Sequence, residues 1–403
     1  MKVVYFNYLD DRLGISIGST RKAELLMEGL GRLGFAVRIC WRKPLAADRS
    51  GKKNRIRPSF RKALSSLFHE PVQLLRNLKY LIVEFGILRR EKPDVLVLRT
   101  SNLLFSAAVL AKRFRIPLVV EADAPNRERR TYHRGFLTVP HLGEWIEKAV
   151  IRSAHMTVCV SSVARDHFIR QGVREDLLRV IPNGADPDRL TVDSSRLRHS
   201  LGIGPDRIVI GFVGSFHYWH GVDLLIELMR RMLVRYPHCV FLLVGHGGPR
   251  KPEVESFISG SPHGDRIIVT GYVPYDDIPR HLGVMDIALA PYPDTDFFHF
   301  SPVKIYEYMA AGVPVLSSHI GQIGELITDG VDGMLCPPGD VECYTCRLSE
   351  WIEDREKRKA VGLRARRTIA ENHTWAHRAR AWADVLESVR GRVSSSRRKK
   401  DDI

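Results

Sequence analysis

The chain has 403 residues, with 62 Lys and Arg against 46 Asp and Glu, which gives a formal net charge of +16. Hydrophobic residues make up 44% and charged residues 27%, proportions that exclude wholesale disorder and fibrous repeats. The length predicts two or three domains whose cores need no disulfide staples. The positive balance indicates an anionic partner, either nucleic acid or an acidic membrane surface.

Short apolar runs alternate with helical stretches along the whole chain, and this pattern predicts parallel sheets with crossover helices. Their Val, Ile and Leu side chains fall on both faces, as in strands that are covered on both sides. Two series do not fit easily into one open sheet, and the polar stretch 187–205 separates them. We therefore expect an α/β fold of two doubly wound, Rossmann-like domains that face a ligand cleft. The predicted strands are 3–9, 36–41, 94–99, 118–122, 156–160, 178–182, 208–213, 240–245, 267–272, 287–291, 314–317 and 333–336.

The six cysteines are too few for a secreted disulfide scaffold of this length. Cys343 and Cys346 have the C-x-x-C spacing of zinc and redox sites, but a zinc site needs about four ligands and no second close pair exists. Two incidental helix cysteines are the preferred interpretation. The chain shows neither a signal-peptide pattern nor a spanning stretch of roughly 18–20 apolar residues, so we expect a cytoplasmic protein.

The segment 42–62 departs from the alternation, because it holds nine Lys and Arg against one acidic residue. A mostly helical, partly apolar stretch follows at 60–90. A basic loop that leads into an amphipathic helix is typical of proteins that bind a membrane surface. The alternative is a solvated loop before an ordinary packing helix. Aromatic residues lie only at the edges of the basic segment, so we expect no nucleic-acid partner.

The most informative stretch is F-F-H-F-S-P-V-K-I-Y-E-Y-M-A-A-G-V-P at 297–314. Ser301 suits the N-cap of a helix and Pro302 its first position, so the N–H groups of 301–304, including that of Val303, form an anion site. Lys304 adds a cation there, and Glu307 one turn later offers an acceptor for ligand hydroxyls. The alternative is a capped helix with a surface Lys–Glu pair.

Glycine-containing turns end three other strands at the expected edge of the same cleft. Such turns let the backbone approach a diphosphate closely. Several turns that converge on one cleft favour a nucleotide site over ordinary core packing. The residues predicted to bind the donor there are Gly214, Ser215, His220, Gly271, Tyr272 and Val273.

Residues 181–340 resemble the donor half of the retaining glycosyltransferases of family 4, which have the GT-B fold. The matching motifs are I-P-N-G-A-D at 181–186, F-V-G-S-F at 212–216, L-L-V-G-H-G at 242–247, T-G-Y-V at 270–273, S-P-V-K-I-Y-E-Y-M-A-A-G-V-P-V at 301–315 and D-G-V-D-G-M-L-C-P-P-G-D at 329–340. The N-terminal half resembles the family more loosely, through its opening strand, the loop at 14–18 and Val160-Ser161.

The resemblance implies that residues 185–370 bind a UDP- or GDP-linked sugar and that residues 1–184 bind a sugar or lipid-linked acceptor. A helix at 371–393 would pack back towards the N-terminal domain, followed by a disordered basic tail at 394–403. Glu307 matches the family's ribose-binding Glu, whereas His299 replaces its first Glu. Ser215 or Phe216, and then His220, occupy the region where the family places an Arg and a Lys, so Lys304 would supply the missing cation.

On the acceptor side, Asp123 follows a predicted strand and is a candidate to orient an acceptor hydroxyl or accept its proton. His299 is a candidate for contact with the donor sugar. Gly14, Ser16 and Gly18 form a loop suited to an acceptor phosphate or the donor diphosphate. The alternatives are a turn cap for Asp123 and a plain turn for the loop.

We therefore expect a retaining glycosyltransferase that moves a hexose-type sugar to a hydroxyl acceptor in polysaccharide or glycolipid synthesis. Neither a metal nor another cofactor is expected, because oriented N–H groups and a cation can stabilise the departing diphosphate. Peripheral binding to the inner face of the plasma membrane would suit a lipid-linked acceptor. The alternatives are a nucleotide-sugar 2-epimerase or hydrolase on the same fold, and a basic nucleic-acid- or membrane-binding scaffold without activity.

Overall fold

The computed structural model describes residues 1–8, 17–41, 69–123, 125–126 and 140–401. The basic segment 42–62 and the loop residues Gly14 and Ser16 lie outside this part of the chain. The chain divides into two compact units. The first comprises Met1–Pro182 and Arg378–Ile403, and the second comprises Asn183–His377.

The first unit is a six-stranded parallel sheet in the order β2-β1-β3-β4-β5-β6. Its strands are β1 (Lys2–Asn7), β2 (Ala36–Trp41), β3 (Val95–Arg99), β4 (Leu118–Ala122), β5 (Met156–Cys159) and β6 (Leu178–Val180). Its helices are α1 (Ile17–Arg32), α2 (His69–Glu91), α3 (Ser106–Phe114), α4 (Pro140–Ser153) and α5 (Ser162–Arg170). Helices α2 to α5 pack on one face of the sheet, and α1 packs on the other.

The second unit is also a six-stranded parallel sheet, in the order β12-β11-β10-β7-β8-β9. Its strands are β7 (Ile208–Val213), β8 (Cys239–Val244), β9 (Ile267–Gly271), β10 (Ile287–Ala290), β11 (Val315–Ser318) and β12 (Met334–Cys336). Its helices are α6 (Pro187–Leu190), α7 (Ser195–Ser200), α8 (Val222–Arg235), α9 (Lys251–Gly260), α10 (Ile278–Leu282), α11 (Val303–Ala310), α12 (Ile323–Leu326), α13 (Val341–Glu353) and α14 (Arg355–Asn372). Helix α15 (Trp375–Asp401) begins in this unit and continues in the first.

All twelve predicted strands are present, each within two residues of its predicted bounds. The prediction of two doubly wound parallel sheets is confirmed. It succeeded because these strands are covered on both faces: every residue of β3, β4 and β8 is buried. A strand in that environment carries a continuous apolar run that can be read from the sequence alone.

The C-terminal residues differ from the expectation of a disordered tail. The helical backbone of α15 continues to Asp401. Within the first unit, Ala379, Trp382 and Leu386 of this helix are buried on the same face of the sheet as α1.

The interpretation of Cys343 as an incidental helix cysteine is wrong. Cys343 forms a disulfide with Cys336, the last residue of β12, whereas Cys346 is an exposed free thiol. Asp340 caps α13 by accepting a hydrogen bond from the Cys343 N–H at 2.9 Å. This cap brings the first turn of the helix back to the strand end, with the two cysteine Cα atoms 5.8 Å apart.

Gly221 offers a direct test of the turn between β7 and α8. Its φ of +61° lies in the left-handed region, and an added Cβ would lie 1.4 Å from the carbonyl oxygen of Pro291. We expect Gly221→Ala to lower the free energy of unfolding by about 2–4 kcal/mol, because both the backbone strain and the steric overlap must be relieved. Chemical denaturation measures the change. Gly260→Ala is the control, because nothing lies within 4 Å of its Cβ position, and equal stability of the two variants would contradict the prediction.

Candidate active site

The start of α11 is built differently from the sequence-based expectation. The helix begins at Val303 with Pro302 in the cap position, and no side chain of the described chain caps it. Ser301 is therefore not the N-cap. Its hydroxyl accepts a hydrogen bond from the N–H of Asn183 at 2.9 Å, and its carbonyl oxygen accepts one from the Asn183 side-chain amide at 2.5 Å. The uncapped first turn is left with N–H groups that can bind an anion.

Lys304 is the most unusual charged residue of this region. Its ammonium lies 4.5 Å from the ring centroid of Phe212 and 5.0 Å from that of Tyr292, and it has no hydrogen-bond partner in the described structure. Burial lowers the pKa of this amine to about 7. Aromatic faces attract a cation but do not replace its hydrogen bonds to water, so the site favours an anionic ligand.

His220 lies near this ammonium at the end of the turn that follows β7. Its Nδ1 is 2.5 Å from the carbonyl oxygen of Ser215, which can only accept a hydrogen bond, so Nδ1 carries the proton. Burial and the charge of Lys304 lower the pKa of the imidazole well below its usual value. His220 is therefore a neutral group that fixes the turn, and it does not replace the family's second cation.

The turn after β7 packs directly against the turn after β8. The N–H of Gly214 donates to the carbonyl oxygen of Val244 at 2.9 Å, and the N–H of Phe216 donates to that of Gly247 at 2.9 Å. A Cβ on Gly245 would lie 2.2 Å from the carbonyl oxygen of Gly214, so only glycine permits this approach. The predicted residues Gly214 and Ser215 therefore belong to a rigid backbone edge beside Lys304.

Glu307 is buried one turn further along α11. It accepts a hydrogen bond from the hydroxyl of Tyr275 at 2.7 Å. Burial raises the pKa of the carboxyl to about 7, although the tyrosine hydrogen bond opposes this rise. The sequence analysis did not predict a role for Tyr275. The sequence signal that could have identified this residue is its position directly after the T-G-Y-V-P motif at 270–274. Of the residues that precede it, Gly271 has a φ of +73°, Tyr272 is exposed and Val273 packs on the core.

His299 does not lie at an open surface. The side chain is fully buried, with its ring centroid 5.0 Å from that of Phe297 and 4.2 Å from that of Phe300. In this arrangement the imidazole packs among aromatic rings, and its predicted contact with the donor sugar stays a prediction.

Asp123 of the first unit is held by two cations. Lys22 Nζ lies 2.7 Å from both carboxylate oxygens, and Arg99 Nη2 lies 2.5 Å from one of them. Burial alone would raise the pKa of Asp123, but the charges of Lys22 and Arg99 outweigh it and the pKa is lowered. Such a carboxylate is a poor proton acceptor, so the predicted role as a base is not supported. Gly18 lies in the first turn of α1.

The described residues contain no group of three His, Cys, Asp or Glu side chains that could hold a metal ion. They also include no helix that is both long and apolar enough to cross a membrane.

Comparisons with known proteins identify the family. The glycosyl transferase 4-like domain matches residues 18–184, and the glycosyl transferases group 1 family matches residues 207–354. The chain belongs to family 4 of the glycosyltransferases and has the GT-B fold. The sequence-based recognition of the family and the fold is thus confirmed.

The chain is similar to several proteins named as glycosyltransferases. It is 26% identical to a GDP-mannose-dependent alpha-(1-6)-phosphatidylinositol monomannoside mannosyltransferase of Mycolicibacterium smegmatis, over 59% of this chain and 63% of that protein. It is 26% identical to the sulfoquinovosyl transferase SQD2 of Arabidopsis thaliana, over 71% of this chain and 55% of that protein. Both matches span less than two thirds of the relative. The structure of Anabaena HepE in complex with UDP and glucose is similar, with a TM-score of 0.69 and 19% identity over 96% of this chain and 100% of that chain.

The amine of Lys304 should make binding of a nucleotide sugar depend on pH. With a pKa of about 7, it is mostly charged below neutrality and mostly neutral above it. Only the charged form attracts a diphosphate, so the ratio of wild-type to Lys304→Met affinity should be largest below pH 7. Above that pH the ratio should fall by up to about tenfold per pH unit.

Isothermal titration calorimetry on both sides of neutrality measures this ratio. The sugar-linked diphosphate has no proton that titrates in the range, and the contribution of Glu307 is present in both proteins and cancels. A ratio that stays constant with pH would contradict the assignment of Lys304 to the anion site.

Proposed function

We propose that the protein transfers a hexose-type sugar from a nucleotide diphosphate to a hydroxyl acceptor, with retention of configuration and without a metal, in polysaccharide or glycolipid synthesis. The observation that carries this proposal is the buried ammonium of Lys304 beside the uncapped start of α11, one turn before Glu307. The relatives support a sugar nucleotide with either base, because one is named as GDP-mannose-dependent and HepE was solved with UDP.

In the proposed mechanism, the second unit stabilises the leaving group. As the glycosidic bond breaks, negative charge grows on the diphosphate, where Lys304 and the N–H groups at the start of α11 are already oriented. Glu307 would accept hydrogen bonds from the ribose hydroxyls, while Tyr275 donates a hydrogen bond to the same carboxylate. The neutral His220 would keep the turn after β7 in place while the charge develops.

Retention would follow most simply from attack on the face that the leaving group departs from. This route needs no protein side chain as a base, because the departing diphosphate oxygen is an anion that can take the proton from the hydroxyl group of the acceptor substrate. The ion-paired state of Asp123 is consistent with such a route, since its carboxylate is already occupied by Lys22 and Arg99. Asp123 would then order the site and not abstract a proton.

The donor assignment is tested by turnover of nucleotide sugars. We expect Lys304→Ala and Glu307→Ala each to lower kcat/KM about ten- to a hundredfold, the effect of losing a charge-assisted contact of about 1.5–3 kcal/mol. Lys359→Ala and Glu371→Ala are matched controls, because both side chains are exposed on α14. A thermal-shift screen with UDP, GDP, ADP and dTDP selects the base beforehand.

The same turnover assay tests whether the reaction requires a metal and whether the product keeps the anomeric configuration of the donor. Turnover should persist in excess EDTA, and NMR of the product should show the anomeric configuration of the donor. Loss of activity in EDTA with rescue by Mg²⁺ or Mn²⁺, or an inverted product, would contradict that part of the proposal. Wild-type kinetics in both Lys304→Ala and Glu307→Ala would contradict the donor site itself.

We also propose that the first unit binds an anionic membrane surface, such as the inner face of the plasma membrane. Helix α2 carries an exposed apolar stripe, defined as Leu75, Leu78, Ile82 and Phe85, whose side chains are 63%, 61%, 76% and 42% exposed. These positions share one side of the helix, and the exposed cations Arg76, Lys79 and Arg89 lie on the same helix. Exposed apolar side chains beside cations are typical of helices that lie in a membrane interface.

The opposite side of α2 explains why the helix presents this stripe. Asn77 and Glu84 are buried there, and both form hydrogen bonds with residues at the start of α3. These bonds fix the rotation of α2 about its own axis, so the apolar stripe must face outward. A lipid-linked acceptor would then be presented close to the first unit.

Liposome co-sedimentation tests the membrane proposal. Binding should require anionic lipid and should fade at high salt, because the screening length falls to about 3 Å near 1 M. The double variant Leu75→Ser/Ile82→Ser should bind at least tenfold more weakly, since two large side chains no longer enter the interface. Leu363→Ser is the matched control, because this apolar side chain is 71% exposed on α14. Equal binding to neutral and anionic vesicles would contradict the proposal.

A further inference from the structure

A network of four charged side chains is buried at the carboxyl end of the first sheet. Lys22 of α1 lies 2.7 Å from Asp123 and 3.0 Å from Glu121, and Arg99 of β3 lies 2.5 Å from Asp123. Tyr5 of β1 donates a hydrogen bond to Glu121. The two cations and the two carboxylates balance, so the network carries no net charge.

Asn7 stands beside this network without taking part in it. It is the last residue of β1 and lies two residues after Tyr5, so both side chains are on the same face of the sheet. The register that pairs Phe6 with Leu98 places Asn7 next to Arg99 on the neighbouring strand. The side chain is fully buried, and neither its amide nitrogen nor its amide oxygen has a hydrogen-bond partner in the described structure.

An amide in this state is unfavourable to the unliganded fold. Leaving a buried donor or acceptor without a partner costs the full desolvation penalty of that group, and Asn7 has both. A leucine has nearly the same size and would avoid this cost. The presence of asparagine at the end of a buried strand therefore points to a ligand that completes its hydrogen bonds.

The charge balance selects the chemistry of that ligand. A phosphate would need surplus positive charge, but both carboxylates already oppose the ammonium of Lys22 and the guanidinium of Arg99. A hydroxyl group is neutral and can both donate and accept, which matches the two ends of a side-chain amide. We propose that Asn7, together with the network of Lys22, Arg99, Glu121 and Asp123, binds hydroxyl groups of a neutral carbohydrate. This inference rests on the proposed function, in which that carbohydrate is the acceptor.

The test compares two variants, Asn7→Leu and a matched control in which another buried asparagine, Asn77, is replaced by leucine. Asn77 of α2 is equally buried, but its amide oxygen accepts from the N–H groups of Phe105 and Ser106, and its nitrogen donates to the carbonyl oxygen of Leu103. We expect Asn7→Leu to raise the melting temperature by about 2–4 °C, whereas Asn77→Leu should lower it.

The second measurement is nucleotide-sugar turnover with soluble probes: methyl glycosides of glucose, mannose and galactose, myo-inositol, and the corresponding sugar phosphates. In the wild type, neutral probes should accelerate donor consumption. In Asn7→Leu, the probe concentration for half-maximal acceleration should rise at least tenfold. The melting temperature shows independently that this variant is folded.

Three results would overturn the inference: a melting temperature of Asn7→Leu that falls as that of Asn77→Leu does, an unchanged response to the neutral probes, or acceleration by sugar phosphates alone. A wild-type protein that consumes no nucleotide sugar would instead contradict the proposed function. In that case the neutral probes should still raise the melting temperature of the wild type but not that of Asn7→Leu, and no such difference would overturn the inference.

Discussion

The buried, unpartnered ammonium of Lys304 is the charge around which the candidate donor site of the second unit is arranged. It lies over the rings of Phe212 and Tyr292, at the ends of two strands, and no acidic side chain of the described chain neutralises it. The surrounding features fit this one unfavourable charge, because the helix start is uncapped and the adjacent imidazole stays neutral. A fold keeps such a group when an incoming anion compensates for it.

The carboxyl edges of the two sheets differ in their balance of buried charge. In the second unit the cation is unbalanced, whereas in the first unit Lys22 and Arg99 are matched by Glu121 and Asp123. In the two proposals, the unbalanced cation binds an anion, and the balanced network with its unpartnered amide binds neutral hydroxyl groups. The proposed difference in ligand preference between the two edges resides in a few side chains at strand ends.

Helix α2 shows how buried polar contacts can direct an exposed apolar surface. Asn77 makes hydrogen bonds to the loop before α3 and to the start of α3, and Glu84 accepts one from Ser106. Burial raises the pKa of Glu84 to about 8, which keeps this carboxyl largely protonated at neutral pH and compatible with its apolar surroundings. The rotation that these contacts impose leaves Ile82 and Leu75 in solvent, where a membrane surface can cover them.

The sequence by itself determined the twelve strands, the two sheets and the family, because buried parallel strands and glycine-bounded motifs are local patterns. It also predicted the donor-site roles of Lys304 and Glu307. Only the tertiary structure decided the partners of those residues. Ser301 bonds to Asn183, 118 positions away, instead of capping its own helix, and Asp123 is held by Lys22, 101 positions away. Likewise, Tyr275, which follows β9, donates a hydrogen bond to Glu307 of α11. Chain folding sets these long-range contacts, and they determine which polar groups are satisfied and which remain available to a ligand.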